Sequence, residues 1–473
     1  RVPQARSYVV EVSAFGRPAA DFDVAVGGGP TDTGDLPVPS VGRLVINATV
    51  DGVEDHVLAF VLPADDATED ASLGSQFGQF GDCAPLLGGP HGSSPGCNRV
   101  LVDGPVEVGV LPGTYDVFAI AGPFSTLSAV RGLVVEPGQS VAVQLGVETI
   151  DGLQPEGTLT GDFHVHGGVS FDSNMPHLDR VRALLASRVQ VVAATEHDAA
   201  WDFAEAREDL DADGRFVLMV GTENTGHILF KLLPDSQYPK VVGHWNIWPF
   251  DFDPEGPYRG AWWDELAEPG MLFTRAQEAG WPAETGVVQL NHPIGGASFG
   301  RDYGWGSALG LDLTVPLPSV FDGTEASLFS RTPEGAAFAN SDFHAQEVMN
   351  GTDNGTFLKY RAFWHYLLDQ GVLRAGTANS DSHSLAENVV GLPLTLVWTD
   401  SSVSDFDEAE FNGAVRDGRM VGTSGPVLLV ETTDADGGLR SPSLQAFEPD
   451  EGGELRIRVS AAPWVPVTEV RIL

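Results

Sequence analysis

Lysine is nearly absent from this chain: only Lys231, Lys240 and Lys359 occur in 473 residues. Together with arginine the basic residues number 26 against 66 acidic ones, a formal charge of −40 at pH 7. Nucleic-acid binding depends on neutralising phosphates with Lys and Arg, so that class of partner is excluded. Anionic membrane surfaces repel such a chain for the same reason. No apolar run reaches about 18 residues, the length a membrane-spanning helix needs. No Gly-Lys pair occurs, which removes a Walker-type phosphate loop. What is plentiful is core material, with 42% hydrophobic and 19% charged residues. That balance belongs to a folded protein, and the length suggests two or three domains.

Cysteine is scarce as well. Cys83 and Cys97 lie in GDCAPLLGGPHGSSPGC, without metal-type spacing. The Gly, Pro and Ser between them make a surface loop, and a bridge closing it would remove roughly 3 kcal/mol of unfolded-state entropy. The expectation is a disulfide in a secreted, periplasmic or cell-surface bacterial protein, two free thiols being the alternative.

Residues 1–156 read as a β-sandwich. YVVEVSAF, GRLVINATV, VLAFVLP, VEVGVLP, TYDVFAIA and SVAVQLGVETI are β-branched or alternating runs separated by Gly, Pro and Asp turns, with almost no helical period. Residues 157–428 alternate helical stretches (MPHLDRVRALLAS, YRAFWHYLLDQG) with strands (VQVVAAT, FVLMV, TGVVQLNHP, LRAGTANSDS), the pattern of an α/β barrel or open sheet. Residues 429–473 return to strands in VLLVETT, ELRIRVSAA and TEVRIL.

Ten of the twelve histidines lie between 164 and 383, most of them at strand ends beside small or acidic residues. DFHVH sets His164 and His166 two apart, hence on one face of a strand. Two imidazoles on one face begin a site for a borderline metal such as zinc. VVAATEHD then ends a buried strand with Glu196, His197 and Asp198; FVLMVGTEN does so with Glu223, VVQLNHP with His292, and AGTANSDSH with Asp381 and His383. Five strand ends delivering histidine or carboxylate are what a metal site at a barrel mouth requires. DLDADG at 209–214 imitates a calcium loop, but its twelfth position is Val220, so an acidic turn is expected. His56, His91, His177, His344 and His365 are read as exposed or packing residues, and His227 competes with His244 for one ligand role. Trp245, Trp248, Trp262, Trp263, Trp281, Trp305 and Trp364 are divided between core and pocket.

In order, GDFHVH, TEHD, GTE, GHWN, NHP and SDSH resemble the PHP (polymerase and histidinol phosphatase) superfamily. Within it, QEVMNG, AFWHYLLDQG, VVGLPLTLVW and GRMVGTSGP resemble the carbaryl-hydrolase-like (CehA/McbA-like) branch, over about residues 100–430. GVLPGTYDVFAIAG and LVVEPGQSVAVQL resemble transthyretin-like accessory domains. The resemblance implies a distorted (β/α)7 barrel with two or three divalent ions (Zn, Mn or Fe), preceded by the sandwich and followed by a short β-rich segment. Carried over residue by residue, it implies His164 and His166 as the first ligand pair, Glu223 as bridging carboxylate and Asp381 completing that metal. His244 and His292 match the second metal; His197, His383 and Asp172 match the third. Two departures stand out: an extra residue separates Ser170 from Asp172, and Glu196 replaces the usual aspartate. The implied activity is hydrolysis of a small-molecule phosphoester, carboxyl ester or carbamate by a water shared between metals, with His197, Glu223 and His383 as catalytic residues. The alternative is an exported surface or matrix protein in which the metals serve structure.

Overall fold

The computed structural model describes residues 6–12, 20–27, 29–38, 40–73, 98–225, 243–262, 272–294, 305, 342–385 and 388–472. Cys83, Cys97, His91, His227 and Trp263 lie outside the described residues, and with them the disulfide expectation. The protein is multidomain, mostly β with few helices among the described residues. It forms two compact units, one of Arg1–Ala121, Ser125–Thr149 and Leu385–Glu387, the other of Gly122–Phe124, Ile150–Ser384 and Asn388–Leu473.

In the first unit β1 (Arg6–Val12) and β2 (Ala20–Val26) form an antiparallel hairpin. A second sheet is centred on β3 (Gly42–Val50), which pairs with β4 (Val53–Glu54), β7 (Val106–Val110) and β10 (Ser140–Val147). A third has the antiparallel order β6 (Arg99–Val102), β5 (Val57–Pro63), β8 (Gly113–Ile120), β9 (Ser128–Val135). Strand β3 buries every second residue, and Leu44, Ile46, Ala48 and Val50 meet Val57, Ala59, Val61, Val117 and Ala119 in one aliphatic core. Two sheets sharing one core make a sandwich. Two expectations are corrected here. DATEDASL at Asp66–Leu73 is a helix. His56 is buried, not exposed, because its Nδ1 bonds Asp55 at 3.1 Å.

The second unit holds β11 (Thr158–Val165), β12 (Val191–Ala194), β13 (Val217–Val220), β14 (Thr222–Asn224), β15 (His244–Trp248), β16 (Val287–Asn291), β17 (Ala345–Asn350), β18 (Ala375–Asn379), β19 (Leu394–Trp398), β20 (Met420–Thr423), β21 (Val427–Thr433), β22 (Leu439–Arg440) and β23 (Arg456–Ser460). They form sheets ordered β13-β12-β11-β19-β20, β14-β15-β16-β17-β18 and β22-β21-β23. Strands β11 to β13 run parallel, as do β16 to β18, but β15 is antiparallel to both neighbours. Isolated parallel bridges join Val165 to Ser382 and His197 to Glu223. The helices described in this unit span His177–Ser187, Ala204–Asp209, Leu272–Glu278, Asn354–Asp369 and Glu408–Arg416. The last two begin where Asp353 and Asp407 accept the backbone N–H of Thr356 and Glu410, capping donors a helix start leaves open.

Every residue of β11 is buried, so both faces of this strand must find partners. On one face Phe163 stacks on Trp248 and meets Phe411, in a core with Val191, Met219 and Val397. Alternation turns Asp162 and His164 to the other face. The sequence expectation of a final strand at TEVRIL is corrected. Residues 466–472 form no strand, and Val467, Val470 and Ile472 are exposed, leaving the alternation with no surface to bury against. The strands after residue 428 belong to the second unit.

Candidate metal centre

Glu223, on the short strand β14, is 1% exposed and surrounded by imidazoles. Its Oε2 lies 3.2 Å from Nε2 of His164, Nε2 of His166 and Nδ1 of His197. Its Oε1 lies 3.0 Å from Nδ1 of His244 and 3.3 Å from Nε2 of His292. Asp381 adds Oδ1 at 3.1 Å from His164 Nε2 and 3.2 Å from His166 Nε2. Asp172 places Oδ2 3.3 Å from His197 Nε2 and Oδ1 3.3 Å from His383 Nε2. All nine ligand candidates read from the sequence therefore lie in one cluster, Asp172 included despite its shifted spacing.

Three rings have their proton placed by a second contact. His164 donates through Nδ1 to Glu347 Oε1 at 2.8 Å. His166 donates through Nδ1 to Ser170 Oγ at 3.0 Å, since that hydroxyl gives its own proton to Glu196 Oε2. His383 donates through Nδ1 to the Asp381 carbonyl at 3.0 Å. In each neutral ring the Nε2 lone pair is left facing a carboxylate oxygen. Nε2 of His166 and His383 and Oδ1 of Asp381 accordingly have no hydrogen-bond partner.

Lone pair against lone pair in a buried cluster needs positive charge between the two. Two donors each about 2.0–2.2 Å from one divalent ion stand roughly 3.0–3.5 Å apart at tetrahedral or octahedral angles. The N···O separations of 3.0–3.3 Å fall in that range. Among the described residues three triads could hold an ion: His164, His166 and Glu223; His197, Glu223 and His244; and His166, His197 and His383. The residues present thus fit the divalent metals that the sequence implies.

Electrostatics make the same demand. Burial disfavours charge on His164, but Asp381, Glu223 and Glu347 outweigh it and hold its pKa well above the usual histidine value. Burial likewise opposes charge on His383, yet Asp381 and Asp172 push it up to about 9. Glu223 is driven well below the ordinary carboxylate range, its burial overcome by His164, His197 and His244. His244 is lowered to about 4, mainly by burial.

The backbone is strained where ligands are presented. Asp198, His292 and Asp381 adopt positive φ values of 54°, 25° and 50°, conformations that cost a non-glycine residue about 1–3 kcal/mol each. Their surroundings hold them: Asp198 accepts from Thr225 N and Oγ1, His292 N donates to Glu347 Oε2 at 2.7 Å, and Asn350 Nδ2 donates to Asp381 Oδ2 at 3.0 Å. Buried Asp162 accepts from the N–H groups of Ser380 and Gly391, and burial pushes its pKa up to about 6. Arg180, fully buried, donates to Ser382 Oγ and O.

Sequence reasoning gave no role to Glu347, Asn291, Asn246 or Ser170. Asn291 Nδ2 donates to Glu223 Oε1 at 2.8 Å and to Asn246 Oδ1 at 2.8 Å. The signal lay in AQE at the buried start of AQEVMN and in the buried strand VVQLN, which carry acids and amides where apolar residues are usual. His177 starts a helix, His365 lies within one, and His344 Nδ1 accepts from Val288 N, so none of the three joins the cluster. Trp245, Trp248, Trp281 and Trp305 are core residues. In the 209–214 turn Asp213 pairs with Arg207 at 2.7 Å. The pentapeptides GSSPG (92–96) and GASFG (296–300) have the spacing of an elbow serine, but both lie outside the described residues.

No family model and no curated protein matches the chain. Among solved structures it is similar to a two-domain protein from Bacteroides vulgatus described as containing a predicted PHP-like metal-dependent phosphoesterase. Identity is 15% over 64% of this chain and 86% of that one, with a TM-score of 0.33. A likeness so distant carries no argument about activity.

Proposed function

We propose that this chain is a PHP-type metal-dependent hydrolase that cleaves a small phosphoester, or a carboxyl or carbamate ester. The observation that carries the reading is the buried Glu223 carboxylate, whose two oxygens are divided among five imidazoles. A carboxylate shared in this way suits a bridge between two ions. We read β11, β12 and β14 to β18, with the isolated bridges that link their ends, as the seven strands of a distorted (β/α)7 barrel. The CehA/McbA-like branch is supported by sequence motifs alone.

His164, His166, Glu223 and Asp381 would hold one ion, His244 and His292 a second, and His197, His383 and Asp172 a third. A histidine-rich set with few carboxylates suits Zn or Fe better than Ca or Mg, and Mn is carried by the sequence resemblance alone. Bound divalent ions would supply Lewis acidity and a water ionised near neutral pH. The residues themselves do the positioning. Glu347 and Ser170 fix which nitrogen of His164 and His166 faces inward, and the amide network of Asn291 and Asn246 holds Glu223 in place. Attack of the water oxygen on phosphorus or carbonyl carbon breaks the bond to the leaving oxygen. That oxygen takes a proton from His383 or His197 where the ring is not engaged as a ligand.

A structural metal in an exported surface protein would call for a closed site. The edge of this centre is open: the Asp172 side chain is 41% exposed, and Phe171, tilted against the His197 ring, is 74% exposed. The test is to strip the purified protein with a chelator, restore Zn, Mn or Fe, and assay phosphoesters and carboxyl esters. Turnover that returns with metal and disappears in His164→Ala supports the reading; no turnover on either class with any metal refutes it. Export of the chain remains part of the proposal, tested by locating the protein in fractionated cells.

A further inference from the structure

Beside the metal-centre loops lies a cavity of about 440 Å³, walled by His177, Trp201, Phe203, Phe252 and Arg259. It is built on the same turns as the candidate ligands. Trp201 and Phe203 follow His197, and His177 packs on Gly167, which follows His166. A Cβ at Gly167 would come within 2.9 Å of the His177 ring and 3.1 Å of the Phe203 ring, so only glycine lets these walls close.

Arg259 sets the cavity apart. Its guanidinium lies over the Trp201 ring, 4.2 Å from the centroid, and among the described residues it has no ion pair or hydrogen bond. Arg43, Arg131, Arg182, Arg207, Arg419 and Arg440 each meet a carboxylate, whereas Arg259, like Arg361 over Phe357, meets an aromatic ring. Arg259 is also only partly exposed and sits on a strained turn, with φ of 50° at Tyr258 and 58° at Arg259 itself. Stacking occupies the face of a guanidinium and leaves its in-plane N–H donors free. The rest of the wall is aromatic: His177 stands 4.8 Å from Trp201 and 5.3 Å from Phe203, and Phe252 meets Trp201 edge-on at 5.8 Å.

We infer that this cavity binds a planar aromatic monoanion, an aromatic carboxylate in the simplest case, with its charged end on Arg259 and its ring against Trp201, Phe252 and His177. The limit to one negative charge follows from the rim. Asp202, Glu205 and Asp209 all line the cavity and oppose any negative charge beyond the one that Arg259 takes. The inference does not depend on the hydrolase reading.

The experiment titrates benzoate into the full-length protein as purified, read by calorimetry and tryptophan fluorescence. Cyclohexanecarboxylate (charged, not planar) and benzyl alcohol (planar, uncharged) serve as comparison probes. Benzoate is expected to bind at least tenfold more tightly than either. Arg259→Ala should weaken benzoate tenfold or more, the range of a lost charge-assisted hydrogen bond, and Arg259→Lys should weaken it less. Should Arg259→Ala fail to fold, Arg259→Gln makes the same comparison. Benzoate that does not bind at millimolar concentration, binds no better than cyclohexanecarboxylate, or binds equally after Arg259 is replaced overturns the inference. Loss of hydrolase activity with benzoate binding intact would strike only the catalytic proposal.

Discussion

The two units bury opposite kinds of residue. The sandwich core is Leu, Ile, Val and Ala with one tyrosine, Tyr115, whose hydroxyl donates to the Leu111 carbonyl. The second unit buries Asp162, His164, His166, Glu196, Glu223, Asn246, Gln289, Asn291, Glu347 and Asn379 along its strands and just past their ends. An aliphatic core needs only shape to be stable, whereas a buried polar array is costly unless every group finds a partner. The second unit offsets that cost with a separate apolar layer, where Phe163, Trp248, Phe411 and Met420 pack on the opposite face of the same strands. The first unit thus has the interior of a support, and the second that of a site.

The sharpest way to break this contrast is at Glu223. Glu223→Gln keeps the shape but removes the charge that five histidines face. Activity restored by metal should fall by on the order of a thousandfold, because several kcal/mol of charge stabilisation are at stake. An unchanged metal content and rate would show the polar array to be ordinary packing. A core change in the other unit should do the reverse. Ile46→Ala, at a fully buried position, is expected to cost about 2–5 kcal/mol in denaturant unfolding while leaving metal content alone. Metal lost in step with sandwich stability would mean that the two regions are not separable.

Acid probes the comparison at a position outside the cluster. His344 is lowered to about 4, mainly by burial and then by Arg416 and Arg374, and its neutral Nδ1 accepts from Val288 N. Below about pH 6.5 the unfolded chain gains a proton on this residue that the folded chain refuses until near pH 4. Its contribution is therefore intact above pH 6.5 and declines as the pH falls through that window, by roughly 3 kcal/mol at about 1.4 kcal/mol per unit. His344→Asn keeps an acceptor and cannot titrate, so its unfolding free energy should be flatter between pH 6.5 and 4. An equal slope in both proteins would remove His344 from the account. The smallest expected effect is at Glu347, which touches His164 and the His292 backbone at once. Glu347→Gln should weaken metal binding about 10–100-fold, the usual range for a carboxylate behind a ligating histidine. Competition with a chromogenic chelator reads it directly.

How much was legible in the sequence divides along the same line. GRLVINATV, VLAFVLP and VLLVETT are strands over those residues because alternation with β-branched side chains leaves little else to form. HVH, TEHD and SDSH pointed to the metal cluster because polar residues at the ends of apolar strands have few structural uses. Glu347 escaped notice since a single acid inside AQEVMN has no local pattern, and its meaning depends on His164, 183 residues away. Trp201 and Arg259 were equally silent, being joined only by the fold. TEVRIL misled for the opposite reason: alternation predicts a strand only where a sheet is present to receive it.

The most direct test of the central claim is metal content. Purified full-length protein should carry about two or more equivalents of a transition metal per chain, and His164→Ala should lose at least half of it with its circular dichroism unchanged. Wild-type protein that takes up no more metal than the variant, after loading with Zn, Mn or Fe, would contradict the account.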